Sequence, residues 1–110
     1  MAEIAFPSLS TTTRLPNGTT YSYVHSKPSY QKPYILFLHG FPSSSYDWRH
    51  QISYFSKLGY GIIAPDLLGY GGTDKPEMLE AYRMKKMSEE VVGILDAQKV
   101  GKVLAVAHDL

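Results

Sequence analysis

The chain has 110 residues, of which 44% are hydrophobic and 19% are charged, and its formal net charge is +1. This is the composition of an ordinary globular domain. The near-neutral charge argues against a nucleic-acid-binding surface, and no apolar run approaches the roughly 20 residues that cross a bilayer. The amino terminus has neither a basic stretch nor a long apolar core, so no secretory signal is predicted.

Cysteine is absent from the sequence, and the four histidines are scattered along it. A chain without cysteine forms no disulfides, which is typical of a reducing compartment, and we therefore expect a cytoplasmic protein. The histidines lack ligand spacings such as His-x-x-x-His, so neither a metal nor another cofactor is expected. The absence of repeats and linkers favours one domain over residues 1–110, or part of one.

Residues rich in β-forming side chains open the chain at 11–15 and 19–25. The Pro-Asn-Gly sequence at 16–18 lies between them and predicts the turn of an antiparallel hairpin. A continuous apolar run at 34–38 then ends at His39, which predicts a central strand.

Helical periodicity begins after this strand. Ser44 and Asp47 have the spacing of a capping box, with Asp in place of the usual Glu or Gln. Gly59 is expected to end the helix, because glycine readily adopts the left-handed conformation of a helix terminus. The apolar residues that share the predicted buried face are Trp48, Ile52, Phe55 and Leu58.

A second unit of the same kind follows. Residues 61–65 predict a buried strand, and the glycines of residues 66–76 predict a loop. The solvent-facing side of the next helix is indicated by two i,i+4 charge pairs, Lys85 with Glu89 and Lys86 with Glu90. The residues of its opposite face are Met84, Met87, Val91, Ile94, Leu95 and Gln98.

A last apolar run at 103–107 predicts one more buried strand. Strand, helix, strand, helix, strand after a hairpin predicts an α/β fold, with a parallel sheet flanked by helices. Parallel strands place their carboxyl ends at one edge, so residues 39–42, 66–72 and 108–110 should meet there. At this position Asp109 is either a ligand-binding carboxylate or the cap of a following helix, and these residues alone leave both open.

Three sequence motifs narrow the fold prediction to a family. They are His-Gly-Phe-Pro at 39–42 with Tyr-Asp-Trp-Arg at 46–49, Ala-Pro-Asp-Leu-x-Gly-Tyr-Gly at 64–71 with Asp-Lys-Pro at 74–76, and Ala-His-Asp-Leu at 107–110. With these motifs the chain resembles the amino-terminal part of an α/β-hydrolase, most closely the epoxide hydrolases that use an aspartate nucleophile. The resemblance extends from about residue 12 to residue 110.

The resemblance implies a mechanism and a set of site residues. Asp109 would be the nucleophile, which opens an epoxide and forms an ester that water then hydrolyses to a diol. The backbone N–H groups of Phe41 and Leu110 would form the oxyanion hole for the hydrolysis. The residues expected to contact substrate are Phe41, Pro42, Trp48 and Leu110, and those expected to support the site are His39, Gly40 and His108. Trp48 also lies on the apolar helical face, which favours a place in the core.

Other members of the superfamily have different residues from this chain at the predicted nucleophile and the positions around it. Haloalkane dehalogenases have asparagine and tryptophan at the positions of Phe41 and Leu110, where they hold the halide, and neither side chain here can donate a hydrogen bond. Fluoroacetate dehalogenases have arginine after the nucleophile, and esterases would need serine at 109. Epoxide hydrolysis is therefore favoured. Dehalogenation and a non-catalytic hydrolase-like fragment remain alternatives, because a fold does not imply an activity.

The chain is also short for such an enzyme, whose core alone runs to roughly 200 residues or more. The resemblance implies that the base histidine, its supporting acid, a cap domain with two tyrosines and the carboxyl-terminal part lie outside these residues. We therefore expect the chain to be completed by a second chain or a further segment. Its last strand should meanwhile have an exposed apolar edge.

Overall fold

The computed structural model describes residues 8–29, 32–39, 45–69, 71–78, 82 and 84–107. Within these residues the chain forms a five-stranded sheet, one turn of 3-10 helix at Ser45–Trp48, and two α-helices. The strands are β1 (Ser10–Arg14), β2 (Thr20–Ser26), β3 (Tyr34–Leu38), β4 (Gly61–Pro65) and β5 (Val103–Ala107), and the α-helices are α1 (Arg49–Lys57) and α2 (Met84–Ala97). The predicted α/β class is confirmed, and the described helices include none that is long and apolar enough to cross a membrane.

The predicted hairpin is confirmed. Strands β1 and β2 pair antiparallel, with Arg14 opposite Thr20 at the turn. The turn residue Gly18 has φ +93°, a conformation that glycine adopts without the penalty that a side chain would bring. The Asn17 side chain also accepts a hydrogen bond from the Thr19 N–H at 3.0 Å, which closes the turn locally.

The strands lie in the order β1-β2-β4-β3-β5. Strand β3 is parallel to both of its neighbours, β4 and β5, whereas β2 joins β4 antiparallel. The chain thus passes from β3 to β4 on one side and then crosses to β5 on the other. This reversal is the arrangement that creates a ligand-binding crevice beyond the carboxyl ends of the strands.

Helices α1 and α2 contribute to two separate apolar clusters, and alternate residues of the central strands belong to each. Ile35 and Phe37 of β3 pack in a cluster with Ile52 of α1. Leu36 of the same strand belongs to the cluster that contains Ile94 of α2. The central strands are therefore buried on both faces, which explains why they are continuous apolar runs rather than alternating ones.

Helix α1 begins later than the sequence predicts. A turn of 3-10 helix precedes it, and the residue at its N-cap is Trp48, whose side chain makes no capping hydrogen bond. Ser44, the predicted cap, lies outside the described residues. Leu58 was expected on the buried face but is 48% exposed, because it follows the last helical residue in the turn that Gly59 ends. Ile52, at the middle of that face, is fully buried as predicted.

The prediction that Glu90 lies on the solvent-exposed face of α2 is wrong. Glu90 is only 3% exposed, and its carboxylate accepts hydrogen bonds from the Asn17 amide at 2.8 Å and the Tyr21 hydroxyl at 3.0 Å. Burial and the Glu90 carboxylate both raise the pKa of the Tyr21 phenol, which therefore stays protonated and donates. The charge of Glu90 is thus used to join α2 to the β1–β2 hairpin rather than to face water.

Strand β5 lies at one edge of the sheet and pairs only with β3 among the described strands. Its side chains are largely accessible, with Leu104 54% and Val106 40% exposed. The prediction of a buried strand is therefore wrong for these residues, because no described element covers them. The predicted exposed apolar edge is confirmed.

The Tyr21–Glu90 contact predicts a specific loss of stability. Tyr21→Phe removes the hydroxyl and leaves a buried carboxylate with one donor fewer, which should lower the free energy of unfolding by about 1–3 kcal/mol. Tyr54→Phe is the matched control, because that ring is 62% exposed and its change should stay within about 0.5 kcal/mol. Urea unfolding followed by circular dichroism measures both, and equal effects of the two changes would contradict the assignment.

Candidate functional site

The site is predicted to lie beyond the carboxyl ends of β3 and β5. Leu38, the last residue of β3, is the register partner of Ala107, the last residue of β5. The predicted motifs at 39–42 and 108–110 therefore continue from paired strand ends. Six of the predicted site residues lie outside the described residues, and their roles stay predictions: Gly40, Phe41, Pro42, His108, Asp109 and Leu110.

His39 lies at the end of β3 and is 1% exposed. Its Nε2 atom accepts a hydrogen bond from the backbone N–H of Leu67 at 2.8 Å. A ring nitrogen that accepts carries no proton, so the proton of the neutral ring is on Nδ1. The contact ties the segment after β3 to the segment after β4, at the edge where the sequence places the site.

Trp48 packs against the core on the α1 side of the sheet. Its ring centroid is 5.2 Å from that of Phe37, within the favourable range for aromatic pairs. Its indole Nε1 is buried without a hydrogen-bond partner among the described residues. Trp48 is thus partly buried and packed against the core, as its helical spacing favours, and contact with a substrate stays a prediction.

Asp66, for which the sequence predicts no individual role, is completely buried directly after β4. Its carboxylate accepts hydrogen bonds from the backbone N–H groups of Ser45 at 2.9 Å and Gly72 at 3.2 Å. Burial alone would raise the pKa of this carboxyl group. The N–H groups of Ser45 and Gly72, which donate to the carboxylate, help to outweigh burial, and the pKa of Asp66 lies below its ordinary value. Asp66 is therefore a buried, ionised carboxylate.

The glycine-rich loop at 66–76 folds around this carboxylate. Gly71 has φ +52°, and a Cβ atom at this position would collide with the carboxylate of Asp66. The hydroxyl of Thr73 donates to the carbonyl oxygen of Asp66, and Lys75 Nζ donates to the carbonyl of Gly71 at 2.6 Å. The glycine here serves close approach to a charged side chain of the same loop. An Asp directly after a strand and before such glycines was the signal available in the sequence.

A second set of hydrogen bonds joins this loop to the β1–β2 hairpin. The Thr20 N–H donates to the Asp74 carboxylate at 2.9 Å, and the Asp74 N–H donates to the Thr20 carbonyl at 3.0 Å. The Thr73 hydroxyl accepts from the Ser22 N–H at 3.0 Å. These contacts fix the carboxyl-terminal part of the loop to β2. Across the described ranges, no three His, Cys, Asp or Glu residues cluster closely enough to hold a metal ion.

The collision at Gly71 predicts a strong effect of a single methyl group. Gly71→Ala should lower the free energy of unfolding by at least about 2 kcal/mol, since it adds left-handed strain and displaces a buried carboxylate from its donors. Gly101→Ala is the control, because a Cβ there meets nothing within 4 Å. Chemical denaturation of both variants measures the difference, and similar stabilities would contradict the packing of Gly71 on Asp66.

The lowered pKa of Asp66 predicts a dependence of stability on pH. Its pKa is lower in the folded chain than the ordinary value of 3.8, so the folded state binds fewer protons in that range. The stabilisation by the carboxylate is therefore complete above this value and is lost as the pH falls below it. The difference in unfolding free energy between the unsubstituted chain and Asp66→Asn should be largest near pH 7 and shrink toward pH 3. A difference that does not change with pH would contradict an ionised Asp66.

Comparison with known proteins places this geometry in a family. Residues 33–110 match the family model of the alpha/beta hydrolase fold. Epoxide hydrolase A of Mycobacterium tuberculosis (strain ATCC 25618 / H37Rv) is 42% identical over 77 residues, which are 70% of this chain and 24% of that protein. Epoxide hydrolase 3 of Siraitia grosvenorii is 48% identical over a stretch of the same length and the same coverage. The chain thus spans about a quarter of the length of these relatives.

The structure of this chain is also similar to solved structures of epoxide hydrolases. The crystal structure of an epoxide hydrolase from Vigna radiata superimposes with a TM-score of 0.82 and 40% identity, over 91% of this chain and 31% of that one. Epoxide hydrolase A from Mycobacterium thermoresistibile gives a TM-score of 0.81 and 34% identity with the same coverage. The family match covers most of the chain and the structural matches reproduce its sheet, so this chain belongs to the α/β-hydrolase fold family.

Proposed function

We propose that this chain supplies the nucleophile and the oxyanion hole of an epoxide hydrolase, which converts epoxides to vicinal diols. The observation that carries the proposal is the register of β3 and β5, whose final residues Leu38 and Ala107 are partners. Phe41 and Asp109 follow these residues within three positions along the chain. Relatives with matching sequence include epoxide hydrolases, which supports the choice of reaction.

The proposed reaction has two steps at Asp109. A carboxylate oxygen forms a bond to one epoxide carbon while the carbon–oxygen bond of the ring breaks, and the released alkoxide takes a proton from an acid. Water then attacks the carbonyl carbon of the ester and loses its proton to a base. The bond between that carbon and the substrate oxygen then breaks, and this oxygen takes the proton back from the base to give the diol. The carboxyl group of Asp109 returns its proton to the acid used in the first step, which restores the carboxylate.

The second step places negative charge on the other oxygen of Asp109. The backbone N–H groups of Phe41 and Leu110 are proposed to stabilise this charge. Oxyanion-hole donors of this kind contribute about 3 kcal/mol each. The side chains at these two positions and of Pro42 and Trp48 would then shape the pocket. His39, Gly40 and His108 would support it.

We propose that a further segment or second chain supplies a histidine base, its supporting carboxylate and two cap tyrosines. The chain spans about a quarter of its relatives, and the exposed apolar side chains of β5 offer a surface for that remainder. The chemistry requires no cofactor. A cytoplasmic location remains the expectation from the lack of cysteine.

The test is to restore the missing part and measure the reaction. Residues 1–110 would replace the matching part of M. tuberculosis epoxide hydrolase A, and the fusion enzyme would be assayed for diol formation from styrene oxide. Asp109→Asn should reduce turnover by at least about a thousandfold and abolish the mass increase that the ester produces in single-turnover experiments. Asp96→Asn, on the exposed side of α2, should change neither measurement.

The alternatives give different results in the same assay. Release of halide from haloalkanes or haloacetates without diol formation would favour a dehalogenase. A folded fusion enzyme with no turnover of either substrate class would indicate a non-catalytic fragment. Undiminished ester formation in Asp109→Asn would contradict the proposed nucleophile.

A further inference from the structure

Residues 40–44, which contain Phe41, are flanked on both sides by residues that bind the loop after β4. On the amino-terminal side, His39 accepts the hydrogen bond from the N–H of Leu67 at 2.8 Å. On the carboxyl-terminal side, Ser45 donates its N–H to the Asp66 carboxylate at 2.9 Å. Two consecutive residues of one loop, Asp66 and Leu67, therefore bind the described residues on either side of the segment that carries the proposed oxyanion-hole donor.

Asp66 is itself fixed by contacts with other elements. Its N–H donates to the Ser22 carbonyl of β2 at 2.8 Å, and its carbonyl accepts the hydroxyl of Thr73. The preceding strand β4 is buried along its whole length. Asp66 is thus held by hydrogen bonds to β2 and to its own loop, and its carboxylate binds the N–H of Ser45 directly.

The charge of Asp66 strengthens this link. Hydrogen bonds to a buried carboxylate are shorter and roughly twice as strong as those between neutral groups. An asparagine could still accept from Ser45 with its oxygen, but its NH₂ group would then face the N–H of Gly72. A carboxylate can accept from both donors at once, and this is the arrangement that the structure contains.

We propose that Asp66 is a positioning residue for the oxyanion hole, which holds the Phe41 N–H in place through Ser45. This inference rests on the proposed function and extends it to a residue that touches neither substrate nor nucleophile. The oxyanion hole favours hydrolysis of the ester over its formation, because negative charge develops on Asp109 during hydrolysis, whereas ester formation removes the charge that the carboxylate already has. A displaced Phe41 N–H should therefore slow one step and spare the other.

The experiment measures the two steps separately in the fusion enzyme. Rapid mixing with styrene oxide followed by acid quench and mass spectrometry gives the rates of ester formation and ester hydrolysis. In Asp66→Asn, ester hydrolysis should slow by about 10- to 100-fold, as expected for a donor misplaced by about 1 Å, and the ester should accumulate. Ester formation should stay within about twofold of the unsubstituted enzyme.

A matched control separates positioning from general destabilisation. Glu90→Gln alters another buried carboxylate, which binds the hairpin and lies on α2 instead of at the site. This change should lower stability without changing the ratio of the two rates. If Asp66→Asn and Glu90→Gln change that ratio equally, or if Asp66→Asn slows both steps in proportion, the inference is overturned.

A second pair of variants decides the question if Asp66→Asn does not fold. Ser45 begins the 3-10 helix, a position that accommodates proline, and Ser45→Pro removes the N–H that Asp66 binds. Ser45→Ala keeps that N–H. Accumulation of ester in Ser45→Pro and much less in Ser45→Ala supports the inference, and equal behaviour of the two overturns it. A fusion enzyme that forms no ester at all overturns the proposed function and this inference with it, whereas normal ester hydrolysis in Asp66→Asn overturns the inference alone.

Discussion

Strand β4 constrains the remainder of the described structure. It lies between β2 and β3, and all five of its residues are buried. Its direct continuation, Asp66, brings a negative charge to a position that water does not reach. A buried charge is tolerated only when hydrogen-bond donors surround it, and here backbone N–H groups of Ser45 and Gly72 provide them. The paths of the two neighbouring chain segments follow from this requirement.

The same principle operates at a second place in the molecule. Glu90 is buried at the interface of α2 and the hairpin, where Asn17 and Tyr21 supply the donors. In both places a carboxylate joins segments that are far apart in the sequence. Isolated buried charges are costly, so each carboxylate favours the one arrangement of its neighbours that supplies its donors. The fold therefore uses polar contacts to fix loop and hairpin geometry around an apolar sheet.

The elements could be predicted from local patterns, because apolar runs and helical spacing report burial directly. The strands around Ile35 and Ile62, the hairpin turn at Gly18 and the buried Ile52 of α1 were all predicted in this way. The partners of Asp66 and Glu90 could not be, since they lie on other elements and no local spacing encodes them. The exposure of β5 depends on what lies beside the sheet, and the site roles of Phe41 and Asp109 rested on resemblance.

The position of β5 has a consequence for how the chain is made. Strand β3 pairs with β4, which follows it closely, but its other neighbour is the last strand of this sequence. Ribosomes add about 5–20 residues per second, so β5 is synthesised several seconds after β3. One side of β3 is unpaired during this time. During that interval an apolar strand with unpaired backbone groups is open to wrong partners. This side of β3 therefore stays open to such contacts until β5 has been synthesised.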